Sequence, residues 1–327
     1  MRRGLTALAL AAAWMTWPAD GHALEPEGSR FWSDVRRERG SLARSLAERA
    51  ELRLVASRDL PPYARIEWVR AAHADLNRAH LLAPFDLEIA FLRARAATEE
   101  SLLPSVRDRR SMIRLAIARY LEIRARDPEH RAVSVAFDLA ILHTRLHDFA
   151  AASEEYRRAR DALLDPRGSA TIIANLAEIT MLAGDLERAC AYFDEAVELA
   201  ASSGGDHSLV LSLIGAAVAY DRLGDGARAI ELARRARGIS GGRITATRAP
   251  GVFYEPDEEL HYYDAMDALA WASDASGDEL ARALGEARKA LARFLEIGPR
   301  SPFAPRAAQR LEEVEARLQA LRRGRAP

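Results

Sequence analysis

One mark of punctuation recurs in this chain. Gly184-Asp185 and Gly224-Asp225 stand 40 residues apart, and matching positions follow each pair. Ala189, Phe193 and Ala196 come 5, 9 and 12 residues after the first glycine; Ala229, Ala233 and Ala236 come at the same offsets after the second. Such offsets return to one face of an α-helix. Apolar or small residues at helical spacing also precede each pair: Ile173, Leu176, Ala177 and Thr180 before the first, Ala216, Ala217 and Tyr220 before the second. Glycine closes a helix readily in a left-handed conformation. Each stretch therefore predicts two helices joined by a tight turn, with small residues that let the helices approach closely.

The pattern extends in both directions. At 133–166, Leu139, Ala140 and His143 precede Leu146-His147-Asp148, and Ala152, Tyr156 and Ala159 follow; the spacing is kept although the glycine is gone. This unit ends at Asp165-Pro166. Upstream, Ile113, Ala116, Tyr120 and Ile123 form a helical face ending at Asp127-Pro128, and Ala72, Leu76 and Ala79 form one ending at Pro84. Proline stops a helix and opens the next unit. Downstream, helices are expected near 257–275 and 279–296, and a last one at 304–321.

These residues closely resemble the tetratricopeptide repeat family, whose unit of about 34 residues is a helix-turn-helix with small residues at these places. The match is carried by Leu176-Ala177, Gly184, Ala189, Phe193 and Ala196, then by Ala216-Ala217, Tyr220, Gly224, Ala229 and Ala236. Successive turns lie 37 and 40 residues apart, because loops such as ASSGGDH lengthen the connections. The resemblance implies an all-α chain, a right-handed superhelix (α-solenoid) of helical hairpins. The expected organisation is a signal peptide at 1–23, an N-terminal capping helix at 24–60 and repeats at 61–238. An inserted loop at 239–256, a C-terminal hairpin and capping helix at 257–321, and a tail at 322–327 complete it. In the N-terminal helix Trp32, Val35, Leu42, Leu46 and Ala50 are placed to cover the end of the stack, as solenoid ends require. The insert has Gly241-Gly242 at one end and Pro250-Gly251 near the other, and reads as a hairpin-like loop or a disordered segment. Its Val252, Phe253 and Tyr254 either tuck back onto neighbouring helices or present apolar mass for function.

The first residues form a separate object. MRRG is basic, LTALALAAAWMTW is an apolar run, and Pro18 and ADGHA follow. That is the layout of a secretory signal peptide, with cleavage after Ala23 or, as second choice, Gly21; an uncleaved membrane anchor is the alternative. No later segment is apolar enough to span a membrane. Cys190, the only cysteine, lies between Ala189 and Ala191 and reads as a small buried hydrophobe. A net charge of −1 recruits no nucleic acid.

No motif announces catalysis, a cofactor or a metal. There is no His-Glu-x-x-His, no Cys-x-x-Cys, no phosphate-binding glycine loop and no nucleophile elbow. His73 and His80 make at most an incomplete metal site, and His143 is expected half-buried with a satisfied nitrogen. His261, beside Asp257, Glu258 and Glu259, is the best candidate for a polar site, and makes a cell-envelope enzyme or accessory subunit the alternative function.

The preferred reading, implied by the resemblance, is an exported scaffold without catalysis of its own. It would bind a protein or peptide partner in the periplasm of a Gram-negative bacterium, or outside the cell. The concave face would be built by the helices at 133–145, 170–182 and 210–222. Its expected exposed residues are Ser134, Phe137, Ile141, Thr144, Thr171, Ala174, Glu178, Met181, Leu211, Ile214, Val218 and Asp221. Among these, Phe137, Ile141, Thr144, Glu178, Met181, Leu211, Ile214 and Val218 are the candidate partner contacts. The face lacks the lysine and asparagine clamp that chaperone-binding members of the family use for a terminal carboxylate, so an apolar or helical ligand is expected. The chain's own C-terminal helix is one candidate for that ligand.

Overall fold

The computed structural model describes residues 27–103, 106–163, 169–249 and 251–324. The expected signal peptide and the unit end at Asp165-Pro166 lie outside the described residues. The chain is an all-α solenoid of paired helices. Among the described residues the α-helices are α1 (Glu27–Ser57), α2 (Pro62–Leu82), α3 (Leu87–Ser101), α4 (Arg109–Arg126), α5 (Ala132–Arg145) and α6 (Phe149–Asp161). They continue with α7 (Ala170–Leu182), α8 (Leu186–Ser203), α9 (Asp206–Leu223), α10 (Gly226–Ile239), α11 (Glu259–Asp274), α12 (Gly277–Ile297) and α13 (Ala304–Arg323). The first twelve pair in succession, and α13 packs along α12. First helices also touch first helices: α1 meets α3, α7 meets α9, and α9 meets α11. That layer forms the inner wall.

The recurring turn has a concrete geometry. Gly184 and Gly224 take φ of +92° and +101°, the left-handed region that a side chain disfavours. The next residue's N–H then reaches five residues back: Asp185 to the Thr180 carbonyl at 3.1 Å, Asp225 to Tyr220 at 2.9 Å. This ties off the end of the first helix. The same aspartate opens the second helix. Its carboxylate accepts the backbone N–H three residues on, Arg188 at 3.2 Å and Arg228 at 3.0 Å, satisfying an amide that the helix leaves unpaired. The turn at 147–148 works identically without glycine. His147 takes φ +60°, Asp148 N–H bonds His143 O at 3.0 Å, and Asp148 caps Ala151.

Alanine fills most of the contact surface between helices. Ala152, Ala159, Ala177, Ala189, Ala196, Ala229, Ala233, Ala236, Ala283 and Ala287 are all fully buried. Large side chains occupy the remaining gaps. Phe193 is 2% exposed, and a Cβ built on Gly215 of α9 would lie 2.4 Å from its ring. Gly215 therefore stands inside a helix because Phe193 occupies the side-chain volume. Cys190 is buried as expected, and burial pushes its thiol up to about 12. Buried or half-buried tyrosines tie neighbouring hairpins through their hydroxyls: Tyr120 donates to Asp138 at 2.6 Å, Tyr220 to Asp194 at 2.7 Å and Tyr262 to Asp221 at 2.6 Å.

Two expectations are corrected here. The N-terminal helix is not a separate cap: α1 is the first member of a hairpin with α2. Ala43, Leu46, Ala47, Ala50 and Leu54 are buried in one cluster with Ala72, Leu76 and Ala79, and both Arg49 and Arg53 bond Asp75 across the pair. Trp32 and Leu42, expected to cover the stack, are exposed. The insert is neither hairpin-like nor irregular throughout. It contains a 3-10 helix, Ala246–Arg248, against α9, anchored by buried Ile244 and Thr247 and by Arg248–Asp264 at 2.6 Å.

The contact between Phe193 and Gly215 predicts non-additive energetics. Phe193→Ala should cost about 3–5 kcal/mol, and Gly215→Ala about 1–3 kcal/mol through overpacking. Gly215→Ala combined with Phe193→Leu should cost clearly less than the sum of the single changes. Urea denaturation of the four variants measures this, and strict additivity would show that the two residues do not share one volume.

Candidate functional site

The inner wall opens into a cavity of about 350 Å³. Phe137, Ile141 and Thr144 of α5 form one side, Ala174, Asn175 and Glu178 of α7 the back, and Leu211 and Ser212 of α9 the other side. Tyr156 and Phe193 reach in from the second helices α6 and α8, and Tyr263 from α11. Thr171 and His207 stand exposed at the lining.

The remaining side comes from residues 251–255, which run back across the wall as a strap. Phe253 lies beneath Arg145 of α5, whose guanidinium carbon is 3.9 Å from the ring centroid. Such a contact contributes about 0.5–2 kcal/mol, more as it is desolvated. Glu255 approaches Arg145 at 3.5 Å and His147 at 3.4 Å. Tyr254 packs edge-on to Tyr263, with centroids 5.1 Å apart, and donates to the Thr247 carbonyl at 3.3 Å. The loop aromatics have thus tucked back, and in doing so they close the cavity. The left-handed turn at His147 serves two ends, because it also brings that ring toward the strap.

Electrostatics divide the deep end of the site. Arg222 and Glu259 form a buried pair at 2.6 Å, with the guanidinium carbon 3.7 Å from the Phe303 ring centroid. Burial pushes the Glu259 carboxyl up, and Arg222 opposes that shift. Asp221 is fully buried and accepts hydrogen bonds from Arg306 and Arg310 of α13 and from Tyr262. Burial alone would raise it, but the arginines outweigh burial and hold it below the usual carboxylate range. Glu178 has no such partner. Burial, with Glu259 adding to it, pushes its carboxyl up to about 7, against the pull of Arg222 and Tyr263.

Five of the candidate contacts, Phe137, Ile141, Thr144, Glu178 and Leu211, line this cavity. Phe137, Ile141, Glu178 and Leu211 are half-buried; the buried Thr144 gives its hydroxyl to the Ala140 carbonyl at 2.9 Å. The other three are corrected: Met181, Ile214 and Val218 are 0% exposed. Helix α9 is enclosed by α7, α8, α10 and α11, so side chains that would face a groove on an isolated hairpin are core here. Asp221, also expected on the open face, is covered by α13. Sequence reasoning missed Tyr156, Asn175, Phe193, His207 and Tyr263 as lining residues. The aromatic run at 252–254 was the signal available for the strap.

The polar residues at 257–263 do not converge. Asp257 is exposed, Glu258 lies against Gly298, Glu259 faces Arg222, and His261 Nδ1 is 3.9 Å from Asp264. Elsewhere His73 Nδ1 contacts Glu100 and its Nε2 meets Arg119 at 3.0 Å. His143 is half-buried, but its Nδ1 makes no hydrogen bond within the protein and lies 3.6 Å from Asp148, correcting the expectation of a satisfied nitrogen. Among the described residues no group of three or more His, Cys, Asp or Glu is placed to hold a metal ion, and no helix is long and apolar enough to cross a membrane.

Residues 168–240 match the tetratricopeptide repeat family; they span α7 to α10, the two hairpins with glycine turns. A chain from the crystal structure of the APC/C hetero-tetramer Cut9-Hcn1 is similar over 88% of this chain and 47% of that one. Identity is 15% and the TM-score 0.47. The present chain spans about half the length of that protein. No curated protein matches the chain.

Glu178 predicts a measurable pH effect on stability. Its folded pKa lies above the unfolded value, so the folded state holds its proton to higher pH. The group's contribution is greatest below about 4.5 and declines as pH rises to about 7. Glu178→Gln should remove that decline. Urea midpoints at pH 5 and pH 7.5 should fall further in the native protein than in the variant; equal falls would place the carboxyl in solvent.

Proposed function

We propose that the protein is an exported scaffold of the bacterial cell envelope that binds a polypeptide partner on its inner wall, centred on the strapped cavity, and catalyses nothing itself. The observation that carries this reading is the cavity: half-buried Phe137, Ile141 and Leu211 converge on one concavity of ligand-binding size. Concave faces of helical repeats are extended binding surfaces, and aromatic or aliphatic anchors in desolvated pockets dominate interface energies. The location rests on MRRG, the apolar run and ADGHA, which support export to the periplasm or beyond in a Gram-negative organism.

Ile141→Asp combined with Leu211→Asp should reduce partner retention from envelope extract at least about tenfold, a loss of about 1.4 kcal/mol or more. Helicity by circular dichroism should hold, because both side chains are only half-buried. Unchanged retention by the folded variant would move binding off the inner wall.

Export makes a separate prediction. Intact mass of the native protein should correspond to a chain beginning at Leu24, or at His22 as second choice. A cytosolic full-length species beginning at Met1 would overturn the location.

A further inference from the structure

Arginine neutralises the deeply buried acids of this protein one by one. Glu259 has Arg222, Asp221 has Arg306 and Arg310, Glu155 has Arg124, and Asp75 has Arg49 and Arg53. Glu178 is the exception, since its carboxylate forms no ion pair within 4.0 Å among the described residues. It stands on the wall of the cavity instead. Among the described residues no arginine or lysine lines that cavity; its ionisable lining consists of Glu178, Glu255, His207 and tyrosines. Glu255 is already engaged by Arg145 and His147. The walls are rings and aliphatic chains, with Phe137, Tyr156, Phe253, Tyr254 and Tyr263 around the carboxylate's side of the space.

That combination selects one chemistry. An anion would meet an uncompensated carboxylate. A purely apolar group would leave the carboxylate desolvated and unpaired, which is costly. A cation on an aliphatic stem satisfies both features: its methylenes cover the apolar walls, and its head is drawn to the carboxylate and to the faces of the rings. We propose that the cavity seats a basic side chain of the partner polypeptide, its stem between the aromatic walls and its charged head at Glu178. The proposal rests on the scaffold reading above and adds the anchor that the partner must carry.

Cation binding requires the ionised carboxylate, so affinity rises with pH as Glu178 loses its proton. The groups facing it are Arg222 of α9, Tyr263 and Glu259 of α11, Tyr156 of α6 and Tyr254 of the strap. His207 of α9 shares the lining and is controlled for directly.

The test titrates the full mature chain with three capped tripeptides, acetyl-Ala-Lys-Ala-amide, acetyl-Ala-Arg-Ala-amide and acetyl-Ala-norleucine-Ala-amide, followed by NMR. At pH 8 the better of the two basic peptides should bind at least about tenfold tighter than the norleucine peptide. The preference should shrink to less than about threefold at pH 5.5, where the carboxyl is protonated. Glu178→Gln should abolish it while leaving norleucine binding unchanged, and His207→Asn should preserve its pH dependence. The ratio of the lysine to the arginine peptide identifies which head group fits. Should Glu178→Gln fail to fold by circular dichroism, the pH dependence of the native protein compared with that of His207→Asn decides the matter, and Phe253→Ala should weaken all three peptides. Equal affinity for basic and norleucine peptides overturns the cationic anchor but leaves an apolar groove standing. A preference surviving in folded Glu178→Gln overturns the role of that carboxylate. Failure of all three peptides to bind overturns the cavity as a seat; the Ile141 and Leu211 variants then decide separately whether the inner wall binds at all.

Discussion

A helix that ends in a protein leaves backbone groups without partners, and the whole stack depends on how this chain resolves that at its tight turns. A left-handed residue folds the chain back, the following amide closes the first helix, and the same residue's carboxylate opens the second. Two residues thus satisfy both helix ends and leave almost no loop. The helices emerge nearly in contact, which only small residues allow, and alanine occupies those positions through the core. Close approach in turn excludes large side chains except where the opposite helix yields, as Gly215 yields to Phe193.

The two longer departures from that economy build the site. The connection between α10 and α11 is long enough to leave the stack, and it returns across the inner wall to α5. Its hold is mixed: an arginine stacked on Phe253, a carboxylate between Arg145 and His147, and a tyrosine against Tyr263. The C-terminal helix makes the second departure. Arg306 and Arg310 reach back to Asp221 at the end of α9, closing the inner wall at that end and leaving the strapped cavity as its accessible part. A carboxylate so enclosed is favourable only with its counter-charges in place, so the docking of α13 and the burial of Asp221 are one event. Glu178, one inner helix away, receives no equivalent. This contrast between two buried acids gives the cavity its polarity.

Much of this was legible from the residues. The 3.6-residue periodicity, the small residues and the glycine turns specify hairpins, because those signals are local: each is satisfied within about 40 residues of chain. The role of Asp185 and Asp225 as caps was legible too, from an aspartate just before an apolar-periodic run. At the site, Phe137, Ile141, Thr144, Glu178 and Leu211 could be named because periodicity assigns them to the face opposite the hairpin core.

Periodicity could not say which residues on that face remain open. Met181, Ile214 and Val218 share the spacing of their neighbours, yet they are buried, because exposure depends on how closely α7, α9 and α11 stack. Nor could it place Phe253 beneath Arg145 or Arg310 on Asp221, pairs 108 and 89 residues apart in sequence. What the sequence alone determined about this protein is the hairpin and its turn, whose energetics are settled between residues a few positions apart. What only the tertiary structure decided is the cavity, its strap and its unpaired acid. Those follow from the curvature of the whole stack, and no single repeat contains that information.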